Sequence, residues 1–110
     1  MHINWLQKKQ KIKKNESDVS ISLSEYGTYI TFRNGCLDDM VKTDYIVVGV
    51  QGKRLYFAES NEEKGFKLSK KSGNKRIRFK EKLSRCFVGD YKMMWSDNEA
   101  YLYIDSSKAV

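Results

Sequence analysis

Polar and apolar residues alternate with period two through much of this chain. In the run Val19-Ser-Ile-Ser-Leu-Ser, Val19, Ile21 and Leu23 fall on one side and Ser20, Ser22 and Ser24 on the other. Ile77 and Phe79 alternate in the same way with Arg76 and Arg78. This is the period of a strand with one buried face. Further strands are predicted over residues 28–32, 44–50, 54–60, 66–70, 90–95 and 99–106. Tight turns are expected at Gly27, Gln51-Gly52, Gly73-Asn74 and Asp97-Asn98, whose Gly and Asn tolerate the left-handed backbone that short hairpins demand. Two segments read differently. Residues 80–87 place Leu83, Cys86 and Phe87 at helical spacing. Residues 33–41 occupy the corresponding place earlier in the chain, although Asn34-Gly35 weakens a helix there, since Gly costs about 1 kcal/mol against Ala.

The order of these elements repeats. Residues 19–60 and 66–106 each read strand, turn, strand, short helix and β-hairpin. A shift of 47 sets Ser22 on Ser69, Ile30 on Ile77 and Phe32 on Phe79; a shift of 46 sets Asp44-Tyr45 on Asp90-Tyr91 and Ser60 on Ser106. The fold class expected is therefore mostly β with two short helices (β+α), a compact small barrel or sandwich built from two tandem strand-strand-helix-hairpin halves.

Length and composition fit this picture. At 110 residues, with 40% hydrophobic and 13% aromatic positions, the chain supports one core and not two. It has no proline, which argues against a proline-rich linker. We read residues 1–18 as a basic N-terminal arm and 19–110 as a single globular domain. No apolar run approaches the ~20 residues that cross a bilayer, and the first residues lack a secretory signal pattern; a cytoplasmic protein without membrane partners is expected.

Charge adds the functional lead. The formal net charge is +7, from 21 Lys and Arg against 14 Asp and Glu, and it is concentrated in two places. The arm carries Lys8, Lys9, Lys11, Lys13 and Lys14 with no acid among residues 1–14. Residues 64–85 hold ten basic residues against Glu81 alone. Among them Lys70, Lys71 and Lys75 cluster near the Gly73-Asn74 turn, Arg76 and Arg78 share one strand face, and Lys80, Lys82 and Arg85 follow. Such an excess repels itself unless an anion relieves it, so these residues together with the arm lysines are the candidate nucleic-acid contacts.

Catalytic chemistry is thin by comparison. His2 is the only histidine, which leaves no Ser-His-Asp arrangement or histidine-rich metal site to assemble, and no glycine-rich phosphate loop is present. Neither an enzyme nor a cofactor or metal is expected. Cys36 and Cys86 stand 50 positions apart and read as reduced, packed thiols. The aromatic residues, Tyr29, Phe32, Tyr45 and Tyr56 among them, read mostly as packing, the alternative being an exposed stacking platform for single strands.

The succession strand, Gly, hydrophobic strand, short helix, Gly-Asp, strand, two-residue turn, strand resembles the AbrB-like swapped-hairpin fold of bacterial transition-state regulators and antitoxins, with Gly89-Asp90 matching that family's Gly-Asp before its hairpin. Phe32 and Phe79 stand where the family usually has Pro, and Thr43 stands where the first copy would have Gly. The resemblance covers 19–60 and again 66–106, a tandem pair of degenerate copies. It implies a barrel of two interleaved halves supplied by one chain, and DNA binding around the second strand and the helix. By position that reaches Arg33 and Lys42 in the first copy and Lys75, Arg76, Arg78, Lys80, Lys82 and Arg85 in the second. The function expected is that of a small DNA- or RNA-binding protein, a transcriptional regulator acting as monomer or homodimer. The alternative is a phage- or mobile-element-type inhibitor of a host nucleic-acid enzyme, such as an anti-CRISPR or anti-restriction protein, that meets an acidic host protein with the same charge.

Overall fold

The computed structural model describes residues 17–98 and 101–110. Ten strands run in the order β1 (Val19–Ser24), β2 (Gly27–Phe32), β3 (Tyr45–Gln51), β4 (Arg54–Glu59), β5 (Phe66–Lys67), β6 (Ser69–Lys71), β7 (Asn74–Phe79), β8 (Gly89–Tyr91), β9 (Met94–Ser96) and β10 (Tyr101–Asp105). They form two antiparallel five-stranded sheets, β6-β7-β2-β1-β8 and β5-β3-β4-β10-β9. The sheets share two corners. Only Leu68 separates β5 from β6, and only Lys92 and Met93 separate β8 from β9, so the chain steps directly from one sheet into the other at both edges.

The inward-facing positions fill one core. Val19, Ile21, Ile30, Phe32, Ile77 and Phe79 from the first sheet meet Ile46, Leu55, Phe57, Leu102 and Ile104 from the second, with Phe32 edge-on to Phe57 at 5.1 Å between centroids. At the middle of the first sheet β2 pairs with β7, and the pairing is self-consistent under the shift of 47: Thr28↔Phe79 becomes Lys75↔Phe32, and Ile30↔Ile77 becomes itself. In the second sheet the shift of 46 likewise turns Tyr56↔Tyr103 into Leu102↔Phe57.

The two expected short helices are not there. Asn34 and Gly35 both have positive φ, 59° and 64°, a pair of left-handed residues with which no right-handed helix can begin. Residues 33–41 instead form successive tight turns, with Cys36 N–H donating to the Arg33 carbonyl and Asp38 N–H to that of Gly35. Over residues 80–87 the buried hydroxyl of Thr28 intervenes. It donates to the Glu81 carbonyl at 2.7 Å and accepts from the Leu83 N–H at 3.1 Å, taking groups a helix would have used. Ser84 is extended, and only a single 3-10 turn, Arg85–Phe87, follows. The fold is mostly β, not β+α.

The hairpin turns also shift from their expected places. The two-residue loops are Glu25-Tyr26, Gly52-Lys53 and Ser72-Gly73, as fixed by the pairs Ser24↔Gly27, Gln51↔Arg54 and Lys71↔Asn74. Residues 99 and 100, which follow the turn expected at Asp97-Asn98, lie outside the described residues. Asp18, assigned to the arm, is bonded into the domain: its N–H donates to the Tyr91 carbonyl and its own carbonyl accepts from the Arg33 N–H.

Candidate nucleic-acid interface

The residues between buried positions define the outer face of the first sheet. Since strand side chains alternate, burial of Ile21, Ile30 and Ile77 turns their neighbours outward. The register aligns them in rows. One row reads Ser69, Arg76, Thr31, Ser20, Asp90 and the next Arg78, Tyr29, Ser22. Arg76 and Arg78 therefore stand on the outward face of β7, Arg76 between Ser69 of the edge strand β6 and Thr31 of β2, and Arg78 beside Tyr29. The Arg76 guanidinium lies 6.0 Å from the centroid of the Tyr29 ring, within reach of a cation–π contact. Among the described residues neither arginine has an acidic partner.

Tyr26 extends this face from the β1–β2 turn. It is 71% exposed and lines a shallow depression with Tyr29, Arg78, Phe79 and Lys80. The close approach of β2 to β7 beneath it depends on Gly27, whose φ is +135° and whose added Cβ would stand 2.1 Å from the Phe79 carbonyl oxygen. No other residue type fits there.

The basic residues picked out in the sequence separate into three groups. Arg76 and Arg78 occupy the sheet face. Lys80, Lys82 and Arg85 are exposed on the loop that Thr28 anchors at one end of the first sheet, with Arg85 beside Leu23 and Val88 on the β1 side. Lys70 and Lys75, paired across β6–β7, are at the opposite end, where Lys75 Nζ is 3.2 Å from the Asp38 carboxylate. Lys75 shares the phase of Ile77 and Phe79, not that of Arg76, so Lys70 and Lys75 do not continue the arginine row. Lys71 is the last residue of β6. Lys8, Lys9, Lys11, Lys13 and Lys14 lie outside the described residues. Of the two positions carried over for the first copy, Arg33 donates to Ser17 Oγ at 3.2 Å and Lys42 to the Asp38 carbonyl at 2.9 Å.

Tyr29 and Tyr26 were not among the expected contacts. The signal was present: in Gly27–Phe32, Tyr29 and Thr31 occupy the phase opposite to Ile30 and Phe32, which is the exposed one. Acidic groups border the face on its β8 side, where they hold the structure together. Asp90 accepts from Ser20 Oγ, and Asp18 accepts from Met93 N–H at 3.1 Å and from Asn34 Nδ2 at 3.1 Å.

The outer face of the second sheet has another character. Tyr56 contacts Tyr101 and Tyr103 with centroids 6.2 and 5.7 Å away, and Arg54 lies over the Tyr103 ring at 4.5 Å and 3.7 Å from Asp105. Bonds from Ser107 hold the Asp105 carboxyl below its usual range. The Cys36 thiol is pushed up to about 12 by burial, reinforced by Asp18. Its Sγ donates to the Asp18 carbonyl at 3.7 Å. Cys86 is exposed, not packed as expected. Among the described residues no three His, Cys, Asp or Glu side chains converge as metal ligands would, and no helix is long and apolar enough to cross a membrane. Comparison with protein-family models, with curated proteins and with solved structures gives no match to this chain.

Proposed function

We propose that this chain binds single-stranded DNA or RNA across the outer face of its first sheet, phosphates meeting Arg76 and Arg78 and unstacked bases lying on Tyr29 and Tyr26. The observation that carries the reading is a pair of arginines on one outward sheet face that have no acidic partner among the described residues, Arg76 set between Ser69 and Thr31 and Arg78 beside Tyr29. Groove-tracking cations with aromatic platforms are what sequence-tolerant single-strand binding requires, each stacked base contributing roughly 1–3 kcal/mol. Lys80, Lys82 and Arg85 extend the positive potential beyond the sheet. The protein acts by binding and not by catalysis, needs no cofactor, and works in the cytoplasm, with regulation of transcription as its use. With no α-helix at either position the resemblance implied, the swapped-hairpin analogy supplies only its strand contacts to this reading.

A second reading, the inhibitor of a host nucleic-acid enzyme, draws on the aromatic and aliphatic face of the second sheet, where Val50 and Tyr101 are exposed beside Val47 and Ala58. Fluorescence-anisotropy titration with single-stranded and duplex oligonucleotides separates the two. Arg76→Glu with Arg78→Glu is expected to abolish single-strand binding, and Lys53→Glu, in the β3–β4 turn, to leave it unchanged. Absence of binding to every nucleic acid at 50 mM salt, where phosphate contacts are strong, would overturn the proposal. A tight complex with a nucleic-acid enzyme under those conditions would favour the inhibitor.

A further inference from the structure

The cations that the sheet face leaves out are gathered elsewhere. Between the loop of residues 33–42 and the Ser72-Gly73 turn lies a cleft of about 640 Å³, within the ~300–1,000 Å³ typical of small-molecule sites. Its floor is apolar, made by Phe32, Leu37 and Val41, all buried. Its rim carries Lys42, Lys70 and Lys75 against the single carboxylate of Asp38. Two of these ammonium groups already converge on one residue: Lys75 Nζ is 3.2 Å from Asp38 Oδ1 and Lys42 Nζ is 2.9 Å from the Asp38 carbonyl oxygen. The mouth is open, since a side chain added at Gly73 would meet nothing within 4 Å.

We propose that this cleft binds one nucleoside monophosphate, its phosphate among Lys42, Lys70 and Lys75 and its base against Phe32, Leu37 and Val41. A flat apolar body joined to an anion matches apolar residues under a cationic rim better than either part alone. A phosphate offers three acceptor oxygens where Asp38 offers two, and charge-assisted bonds of this kind are about twice as strong as neutral ones. Asp38 is then an internal competitor that holds the lysines in place until the ligand arrives. The nucleotide has two possible sources, a free monophosphate or the phosphorylated end of a bound strand. Ser72 lines this cleft and also the neighbouring depression formed with Thr31, Asn74 and Arg76, so the cleft adjoins the sheet face at that residue. The strand-end source alone rests on the nucleic-acid reading above.

The test is titration of the ¹⁵N-labelled protein with adenosine 5′-monophosphate, adenosine and inorganic phosphate, followed by amide shifts. The monophosphate is expected to move the amides of Gly35, Leu37, Val41 and Gly73, with adenosine and phosphate each binding at least tenfold more weakly. Lys42→Gln with Lys70→Gln should weaken the monophosphate about tenfold or more, the loss expected for a charge-assisted bond, with an unchanged melting temperature. Asp38→Asn should tighten it. No shifts at millimolar monophosphate, shifts confined to other residues, equal binding of inorganic phosphate, or an affinity indifferent to the lysine pair would each overturn the proposal. Oligonucleotides with 5′-phosphate and 5′-hydroxyl ends identify the source. Tighter binding of the phosphorylated end, lost in the Lys42/Lys70 variant, assigns the strand end, and no such difference assigns the free nucleotide. Failure of all strands to bind while the monophosphate still does would remove the sheet-face reading and leave the cleft standing.

Discussion

Ile30 and Ile77 face each other across β2 and β7, 0% and 1% exposed, at the one pairing that the shift of 47 maps onto itself. Each is the other's cross-strand neighbour, and both reach the same core.

Truncating either should therefore have a similar effect. Ile77→Ala and Ile30→Ala are each expected to destabilise by about 2–5 kcal/mol through lost burial and a cavity, lowering the melting temperature by at least about 8 °C in a domain of this size. The double variant should lose less than the two singles combined, because neighbours share one contact. Arg78→Ala, one residue away on the outer face, should stay within about 0.5 kcal/mol. Circular-dichroism melting of the four variants checks this.

Nucleic-acid affinity should fall steeply with salt. If Arg76, Arg78, Lys80, Lys82 and Arg85 each neutralise a phosphate, the slope of log affinity against log salt for a single strand is about −3.5, at roughly −0.7 per contact. Arg76→Gln with Arg78→Gln should flatten it by about 1.4. A slope near zero in the wild type would contradict phosphate contact.

Thr28→Val keeps the shape of the side chain and removes the oxygen that binds Glu81 and Leu83. Two backbone groups lose their partner, so a loss of about 2 kcal/mol is expected, on the scale of a buried polar group left unsatisfied. Faster amide exchange should appear over residues 81–87 and not in β3 or β4. Denaturant unfolding with hydrogen exchange measures both.

The thiols should separate by reactivity. Cys86 is exposed and Cys36 is held as the neutral thiol up to about pH 12, so iodoacetamide at pH 8 should label Cys86 first, followed by mass spectrometry. The linkage has a definite sign. An unfolded cysteine ionises near pH 8.5, whereas folded Cys36 keeps its proton, so between those values the native state binds more protons and stability must fall as pH rises. Cys36→Ala should flatten that alkaline decline. Labelling of Cys36 ahead of Cys86 would contradict this account.

The strands were legible because burial writes itself into alternation: Val19, Ile21, Ile77 and Phe79 all lie where period two puts them. So was the outward direction of Arg76 and Arg78. The helices were misread because spacing alone cannot report a distant partner. Leu83, Cys86 and Phe87 have helical spacing, yet Cys86 is exposed and Leu83 N–H is claimed by Thr28, 55 positions away. The candidate site was half visible. Charge pointed to residues 64–85, but only the register shows that Lys75 turns towards Asp38 while Arg76 stands beside Tyr29, and only the fold brings Lys42 to Lys70 and Lys75.

The pairing of strands distant in sequence also bears on how the chain acquires its shape during synthesis. β1 acquires its second neighbour, β8, from residues some 70 positions later, and β4 acquires its from β10. Neither set of hairpins can shield its apolar side until the other has left the ribosome. Pairings this distant in sequence make for slow folding, with loop closure preceding any reward. Through that interval β1 lacks β8 and β2 lacks β7, so Val19, Ile21 and Ile30 are incompletely covered and the nascent first half is the stage at which a chaperone has most to bind.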